Sequence, residues 1–363
     1  MSGIWGKRIE LSLFGESHGP AIGITIHGLP SGIKLNLTEI SNQMARRRPG
    51  QNAWSTPRKE MDSFEIISGF FEGCTTGTPL TAIIRNTDQK SRDYGRLMHV
   101  MRPSHGDYPG FVKYAGANDY RGGGHFSGRI TAPLVFAGAV AAQILALKGI
   151  QAGAVVTSIG KKKAGRIDSM NFDIQDLSAL RKEGHPVLQQ PDWCKFEEEI
   201  RIARENQDSV GGTVQCVVMG VPAGVGEPFF HSLESHLASL LFSIPAVKGV
   251  EFGTGFDLAS MRGSRANDTY YYKEGEVATR SNHNGGILGG ISNGMTIDFT
   301  VAIKPTPSIG KEQKTVDIET EEDTTLSIKG RHDPCIVPRA VPVIEAAATL
   351  AVLDMMMWGQ IWN

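Results

Sequence analysis

Residues 119–131 read Asp119-Tyr120-Arg121-Gly122-Gly123-Gly124-His125-Phe126-Ser127-Gly128-Arg129-Ile130-Thr131, and this segment anchors our interpretation of the whole chain. Its three consecutive glycines have no Cβ, so the backbone can approach a ligand closely, while the flanking basic residues supply charge and proton donors. After Pro133, residues 134–147 are almost all apolar or glycine, which predicts a buried helix that begins directly behind the loop. A cationic loop at the N-terminus of such a helix is suited to hold an anion.

A second polar cluster lies just upstream, at Arg102-Pro103-Ser104-His105-Gly106-Asp107. His105 stands between a serine and a glycine, as His18 does in Gly15-Glu16-Ser17-His18-Gly19, and such small neighbours leave an imidazole exposed. The neighbouring arginine would lower the pKa of His105 and Asp107 would raise it, so the sequence leaves its protonation state open. Both histidines are candidates for proton transfer.

Two further segments carry basic residues beside a proline. Arg46-Arg47-Arg48 ends a predicted helix that begins near Thr38, and Pro49-Gly50 follows it. Arginines at a helix C-terminus complement the helix dipole, but this uninterrupted run beside a helix break favours ligand or phosphate binding. A predicted strand from Met295 to Ile303 leads into Lys304-Pro305-Thr306-Pro307-Ser308, a rigid segment with one cation and two hydroxyls.

The composition excludes several classes of protein. The 363-residue chain has a net charge of −1, so no global field favours nucleic acid or an anionic membrane, and anion recognition must be local. The cysteines Cys74, Cys194, Cys216 and Cys335 lie far apart without a CxxC pair, which argues against a metal site or a disulfide scaffold and favours a reducing cytoplasm. Residues 1–15 carry charges and no long apolar run, so we predict no signal peptide.

One uncharged stretch reaches the length of a membrane span. It lies between Arg129 and Lys148, and Thr131, Pro133 and Gln143 interrupt it. No second stretch of this kind is expected. We predict a buried core helix and no membrane partner, because a helix that is apolar on all sides is expected at the centre of a large protein.

Two turns of similar sequence indicate an internal duplication. Gly28-Leu29-Pro30-Ser31-Gly32-Ile33 and Gly220-Val221-Pro222-Ala223-Gly224-Val225 each follow a strand-like run and precede a helical pattern. Arg129 and Arg339 each stand before a long apolar helix. The matches are short, so coincidence is the alternative to duplication.

The predicted fold class is α/β (α+β), with strand-turn-helix halves that are intertwined rather than independent. We predict a single domain over residues 1–363, with the duplicated halves at about 1–150 and 206–363. The region 160–205 is rich in charged residues and is predicted to be exposed and variable.

Other chemistries fit the sequence less well. Gly15-Glu16-Ser17-His18-Gly19 has the Gly-x-Ser-x-Gly spacing of a hydrolase nucleophile elbow, but a strand pattern follows it where that elbow needs a helix. The sequence has neither Gly-x-Gly-x-x-Gly nor a Walker loop, so a nucleotide or flavin would not be held in the Rossmann or P-loop manner. His332 and Cys335 lack further metal ligands at suitable spacing. The residues indicate an enzyme with a cationic pocket, two proton-transfer histidines and a polyanionic substrate.

Taken together, the motifs closely resemble those of the chorismate synthase family. The likeness runs from about residue 4 to residue 355 and is weakest between 160 and 205. The motifs that carry it are Gly15-Glu16-Ser17-His18-Gly19, Arg46-Arg47-Arg48-Pro49-Gly50, Asp119-Tyr120-Arg121-Gly122-Gly123-Gly124, Ala246-Val247-Lys248-Gly249-Val250-Glu251, Gly285-Gly286-Ile287-Leu288-Gly289-Gly290-Ile291-Ser292 and Gly330-Arg331-His332-Asp333-Pro334-Cys335.

The resemblance implies a lyase of the shikimate pathway, which serves aromatic amino acid biosynthesis. Its substrate would be 5-enolpyruvylshikimate 3-phosphate, converted to chorismate and phosphate by 1,4-elimination, with reduced FMN required although there is no net redox change. The resemblance also implies a β-α-β sandwich and a cytoplasmic homotetramer. NADPH would be used only by a bifunctional enzyme, and a separate flavin reductase would otherwise be a partner. The alternative is a non-catalytic flavin- or anion-binding paralogue.

The same resemblance implies roles for individual residues. His105 would protonate the departing phosphate, His18 would protonate the reduced flavin, and Asp333 would assist proton removal through the flavin N5. The residues implied to bind substrate are Arg47, Arg48, Arg129 and Arg339. The residues implied to bind the cofactor are His125, Phe126, Ser127, Pro245, Ala246, Gly289, Lys304, Pro305, Thr306, Pro307, Ser308 and Arg331.

Overall fold

The computed structural model of the protein describes residues 3–50, 60–87, 95, 97–328 and 333–359. The strands are β1 (Ile4–Trp5), β2 (Leu11–Gly15), β3 (Ala21–Ile26), β4 (Phe64–Ser68), β5 (Phe70–Phe71), β6 (Cys74–Thr75), β7 (Leu80–Arg85), β8 (Gln151–Ile159), β9 (Lys162–Lys163), β10 (Gly212–Met219), β11 (Val247–Phe252), β12 (Tyr270–Lys273), β13 (Glu276–Thr279), β14 (Ile287–Leu288), β15 (Ile291–Ser292), β16 (Ile297–Ile303), β17 (Gln313–Asp317) and β18 (Glu322–Leu326). The α-helices are α1 (Leu37–Arg47), α2 (Asp107–Lys113), α3 (Thr131–Ala146), α4 (Asp176–Leu180), α5 (Trp193–Glu205), α6 (Leu233–Ser243), α7 (Gly263–Ala266) and α8 (Val337–Trp358).

Two antiparallel sheets enclose the core helices. Within the described residues, one sheet has the strand order β1-β2-β3-β7-β4 and the other the order β11-β16-β10-β8-β9. Helix α3 packs against β3 and β7 of the first sheet, and α8 packs against β8 and β10 of the second. The two helices also pack on each other, so the layers run sheet, helices, sheet. The α/β sandwich expected from the sequence is therefore confirmed.

Helices α3 and α8 form the apolar centre of the protein. A Cβ added to Gly138 of α3 would lie 2.2 Å from Cβ of Ala346 on α8, so the missing side chain permits a close crossing of the two helices. The hydroxyl of Thr349 on α8 donates a hydrogen bond to the carbonyl of Gly138 at 3.1 Å. Helix α3 is buried on nearly every face, as its uniformly apolar sequence predicted.

Among the described residues, two helices are long and apolar enough to span a membrane, Gly128–Ala146 and Val337–Trp358, and 78% and 89% of their most apolar windows are buried inside the protein. Our expectation of a single such stretch is wrong. The second helix was overlooked because it carries Glu345 and Asp354, but both acids are buried and paired with other residues. The prediction that the first stretch forms a buried core helix is confirmed.

Each of the two similar turns joins a strand to a helix. The first lies between β3 and α1, and the second between β10 and α6. Gly28 and Gly220 begin these turns with φ of 79° and 83°. A Cβ would lie 1.9 Å from the carbonyl oxygen of Arg8 at the first position and 2.5 Å from that of Gly149 at the second, so both positions require glycine. The strand-turn-helix assignments are confirmed, and the duplication stays a prediction.

Candidate active site

The three-glycine loop brings the two candidate histidines together. Gly122, Gly123 and Gly124 all have positive φ, at 59°, 86° and 51°. A Cβ on Gly122 would lie 2.1 Å from Cε1 of His18, and a Cβ on Gly123 would lie 3.1 Å from Cε1 of His105. Glycine is therefore needed for both the backbone conformation and the space, and each imidazole faces one glycine of the same loop.

The expectation that small neighbours leave the imidazole exposed is wrong for His18, which is buried because the glycine loop packs directly against its ring. Ser17 holds the ring in place. The Ser17 Oγ lies 3.0 Å from Nδ1 of His18 and 3.2 Å from the carbonyl oxygens of both Arg121 and Gly122. A hydroxyl has one proton, and the two nearby carbonyls can only accept it. If the hydroxyl proton goes to a carbonyl, Oγ accepts the Nδ1–H of His18; if it goes to the ring, Nδ1 is the acceptor, so the tautomer of His18 sets the direction of this bond.

His105 is oriented by a buried carboxylate. Its Nδ1 lies 2.6 Å from Oδ1 of Asp107, and Arg102 donates to the same carboxylate from Nε at 2.6 Å and from Nη2 at 2.7 Å. Burial raises the pKa of Asp107, but the hydrogen bonds from Arg102 and His105 outweigh it and hold that pKa well below its ordinary value. An ionised carboxylate only accepts hydrogen bonds, so Nδ1 of His105 carries a proton.

The protonation of His105 is controlled by its surroundings. Burial lowers the pKa of His105, the hydrogen bond to Asp107 opposes that shift, and the charge of Arg102 adds to it, so the pKa lies below 6.5. Near neutral pH the free protein therefore holds a neutral imidazole with Nε2 unprotonated. Nε2 lies 3.2 Å from the position of a Cβ on Gly123, beside the glycine loop.

The segment 304–308 contacts both the residues around His105 and Asp333. The ammonium of Lys304 donates to the carbonyl of Ser104, and Nη1 of Arg102 donates to Oγ of Ser308 at 3.3 Å. The hydroxyl of Thr306 donates to the carbonyl of Asp333 at 2.9 Å. The segments 102–107 and 304–308, which are remote in sequence, therefore meet close to His105. This is the proximity that one shared site requires.

Arg47 and Arg129 meet at a carboxylate that the sequence reasoning missed. Arg47 Nη1 donates to Oδ2 of Asp62 at 2.7 Å, and Arg129 Nη1 pairs with Oδ1 of the same residue. Arg47 is also held by Oγ1 of Thr131 and the carbonyl of Gly128, both at 3.0 Å. Burial lowers the pKa of Arg47 to about 10, with the charge of Asp62 opposing the shift, so the guanidinium stays charged at neutral pH.

Arg339 joins this group, whereas Arg48 lies at its edge. The Nη1 of Arg339 pairs with Oδ2 of Asp333, and its Nε donates to the carbonyl of Arg47 at 3.0 Å. Arg48 follows the last residue of α1, and its Nη1 lies 4.0 Å from Sδ of Met61. The structure therefore brings three of the four predicted substrate-binding arginines together.

The residues that follow the three glycines, 125–127, make contacts with three other parts of the protein. Nδ1 of the exposed His125 lies 2.8 Å from the carbonyl oxygen of Gly15, and Oγ of Ser127 accepts the backbone N–H of Arg129 at 3.3 Å. Phe126 packs against α2, where a Cβ on Gly110 would lie 2.6 Å from its ring. Phe126 and Ser127 therefore have structural contacts that account for them without a cofactor.

The remaining cofactor predictions lie in three places. Ala246 has φ of 75°, and its carbonyl accepts the N–H of Lys304 at 2.9 Å, which places Pro245 and Ala246 beside the segment 304–308. Gly289 is exposed in the turn between β14 and β15, and a Cβ there would meet no atom within 4 Å. Arg331 lies outside the described residues.

Asp62 gave no clear sequence signal. It stands in Glu60-Met61-Asp62-Ser63, which resembles any polar loop before a strand, and it lies 67 residues from Arg129. The sequence indicated a residue of this kind only indirectly. An arginine next to a fully apolar helix, such as Arg129, is expected to need a buried counter-charge.

Comparison with known proteins gives one consistent result. A family model described as chorismate synthase matches residues 9–357. The chorismate synthase of Thermococcus gammatolerans is 46% identical over 361 residues, which cover 99% of this chain and 98% of the relative. That of Dehalococcoides mccartyi is 44% identical over 364 residues, covering 98% and 96%. A crystal structure of chorismate synthase matches with a TM-score of 0.76 at 27% identity, covering 98% of this chain and 93% of the other.

Proposed function

The chain belongs to the chorismate synthase family, and we propose that it converts 5-enolpyruvylshikimate 3-phosphate to chorismate and phosphate by 1,4-elimination. The observation that carries this proposal is the meeting of His18 and His105 at one glycine loop, with an arginine group anchored to the same segment. Such a site can bind a polyanion and move protons beside it.

The substrate carries two carboxylates and a phosphate, so it needs several fixed cations. We assign this role to Arg47, Arg129 and Arg339, which lie together. We also assign it to Arg48, which directly follows Arg47 at the end of α1. Arginine suits the role because its planar donors match carboxylate and phosphate oxygens and its charge does not depend on pH in the physiological range.

His105 is proposed as the acid that assists departure of the phosphate. Asp107 holds Nδ1, which leaves Nε2 for the substrate. A phosphate dianion placed beside this imidazole raises its pKa, because an opposite charge favours the protonated form. His105 would therefore take up a proton on Nε2 as substrate binds and deliver it to the leaving oxygen.

Reduced FMN, when bound, would supply the electron-rich ring that supports an elimination without net redox change. The residues fit such a group, because the segment 304–308 offers an ammonium and hydroxyls, and Gly289 adds exposed backbone with open space above it. His125, which is exposed, adds a ring nitrogen. We propose that these residues bind the cofactor and that His18 holds a proton for it at the glycine loop.

Asp333 is proposed to assist removal of the C6 proton. Its Oδ2 is held by Arg339, and its backbone carbonyl is held by Thr306 of the cofactor segment. The carboxylate is thus fixed between the residues assigned to the substrate and those assigned to the cofactor. The cytoplasmic location, the homotetramer, the NADPH requirement and the flavin reductase partner are proposed from the family alone.

The test is anaerobic chorismate formation from 5-enolpyruvylshikimate 3-phosphate and FMN, run once with dithionite and once with NADPH alone. Product with dithionite only would indicate an enzyme that depends on a separate flavin reductase. Product in both reactions would indicate a bifunctional enzyme. Binding of FMN and substrate without product in either reaction would reject the proposal and indicate the non-catalytic paralogue.

A further inference from the structure

We infer that Asp62 is a positioning residue for the substrate: its carboxylate fixes the guanidinium groups of Arg47 and Arg129 relative to each other so that they can bind an anion. This inference rests on the proposed function and goes beyond it, since the resemblance implied no role for Asp62. Three observations carry it, namely the bridging geometry, the burial of the charges and a donor that is left without a hydrogen bond.

The bridge fixes both arginines. Each oxygen of Asp62 binds one of them, Oδ2 to Arg47 and Oδ1 to Arg129. The other sides of Arg47 are held by Thr131 and Gly128 at the start of the core helix. The Nε of Arg129 donates to Oδ1 of Asn86 at 3.0 Å. Neither guanidinium can rotate without breaking a bond, so their separation and planes are set before any ligand arrives.

Burial makes the bridge necessary. The side chains of Arg47 and Arg129 are each only 4% exposed, and that of Asp62 is fully buried. Two cations at this depth would repel each other, and a carboxylate between them compensates that repulsion. Burial raises the pKa of Asp62, but the charges of Arg47 and Arg129 outweigh it, so the pKa is lowered and the carboxylate stays ionised.

One donor of the pair is left for a ligand. The Nη2 of Arg129 is buried, and it makes no hydrogen bond within the part of the chain that the structure describes. Oε2 of Glu60 lies 3.7 Å from this nitrogen, which is beyond hydrogen-bonding distance. Because buried donors in proteins are normally bonded, an anion of the substrate would complete this site.

The backbone of Asp62 has an uncommon conformation. Its φ is 52°, in the left-handed region that residues with a Cβ seldom adopt, although aspartate tolerates it better than most. The two arginine contacts hold the residue there.

An alternative is that Asp62 occupies the anion site and competes with the substrate. This alternative predicts a lower Kd for the substrate in Asp62→Asn, whereas the positioning role predicts a higher one.

The test compares Asp62→Asn with the unaltered protein. Asparagine keeps the shape but removes the charge, so we expect KM and the Kd of 5-enolpyruvylshikimate 3-phosphate to rise on the order of tenfold or more, because small displacements of binding groups have effects of that size. FMN affinity should stay near that of the unaltered protein, whereas the unfolding temperature should fall, because two buried arginines lose the carboxylate that they share. Glu65→Gln, which removes an exposed carboxylate that pairs with Arg85, is the matched control for charge and should change nothing.

Three results separate the possibilities. An unchanged or lower Kd in Asp62→Asn would overturn the inference, and a lower Kd would show that Asp62 competes with the substrate. If Asp62→Asn does not fold, Asp62→Glu retains the charge but displaces the carboxylate, and it should raise KM; a KM equal to that of the unaltered protein would overturn the inference. Failure of the unaltered protein to form chorismate would instead reject the proposed function, while substrate binding by calorimetry would still test the positioning role.

Discussion

Two buried carboxylates, Asp62 and Asp107, each bridge a pair of basic side chains, and the pairs differ in one respect. Asp62 lies between Arg47 and Arg129, both of which are charged at any physiological pH. Asp107 lies between Arg102 and His105, and only the histidine can lose its proton in that range. The first arrangement can hold an anion, whereas the second can also exchange a proton with it.

The difference explains how one site could separate binding from chemistry. At Asp62 the carboxylate offsets the repulsion between two permanent positive charges and sets their geometry. At Asp107 the arginine keeps the carboxylate ionised, so the carboxylate can orient the histidine and stabilise its protonated form. We therefore expect substitutions in the first cluster to act mainly on substrate affinity and substitutions in the second to act mainly on turnover.

The largest effect is expected for His105→Ala. Removal of a general acid lowers rates by about 10²- to 10⁴-fold, so kcat should fall by an amount in that range. FMN affinity should change little, because the residues assigned to the cofactor are untouched. The measurement is the anaerobic steady-state rate together with a flavin titration, and the control is His99→Ala, which removes a histidine whose Nε2 lies 3.6 Å from Oε2 of Glu319. Equal losses in turnover and FMN affinity would contradict the proton-donor role.

A smaller loss is expected for Gly122→Ala, which acts on the other histidine. The added Cβ would lie 2.1 Å from Cε1 of His18 at a backbone φ of 59°, so the loop or the ring must move. We expect activity to fall by about 10- to 100-fold. Gly128→Ala is the matched control in the same loop, since its Cβ would meet nothing within 4 Å. Similar activities in the two variants would show that the approach of His18 to the loop is unimportant.

The smallest effect is a pH dependence that distinguishes the two clusters. Burial lowers the pKa of His105 in the folded protein below 6.5, and Asp107 opposes that shift only in part. The contribution of this group to stability is therefore present above pH 6.5 and is lost as the pH falls through the folded pKa. NMR titration of the His105 ring, assigned by its absence in His105→Ala, measures this value.

The same titration in Asp62→Asn sharpens the comparison. If the two clusters act independently, the pKa of His105 should be the same in this variant as in the unaltered protein. A His105 pKa above 6.5 in the free protein would show that Asp107 outweighs burial, and His105 would then be protonated before substrate binds.

Local features of the fold were predictable from the sequence because they depend on neighbouring residues. The apolar run behind Pro133 predicted α3, and the turns that begin at Gly28 and Gly220 were recognised from glycine and proline spacing. The glycine loop was also recognised, because three glycines in succession favour a turn whose backbone is closely approached by other groups. Each of these signals lies within about twenty residues of sequence.

Pairings between distant charges could not be predicted in this way. Arg46 was included in a run favoured for ligand binding, yet it pairs with Glu345, which lies 299 residues away on α8. Asp62 was missed for the same reason, since its role depends on Arg129, 67 residues later. Only the assembled fold shows which charges are buried together, and therefore which arginines are paired with a carboxylate.

The most direct test of the function counts both products in one anaerobic reaction. With dithionite-reduced FMN and limiting 5-enolpyruvylshikimate 3-phosphate, the protein should release one chorismate, measured by absorbance, for each phosphate, measured by colorimetry. His105→Ala should slow both releases equally and keep the ratio. Phosphate release without chorismate would indicate hydrolysis and would contradict the elimination, and a folded protein that binds both ligands but releases neither product would contradict the assignment as an enzyme.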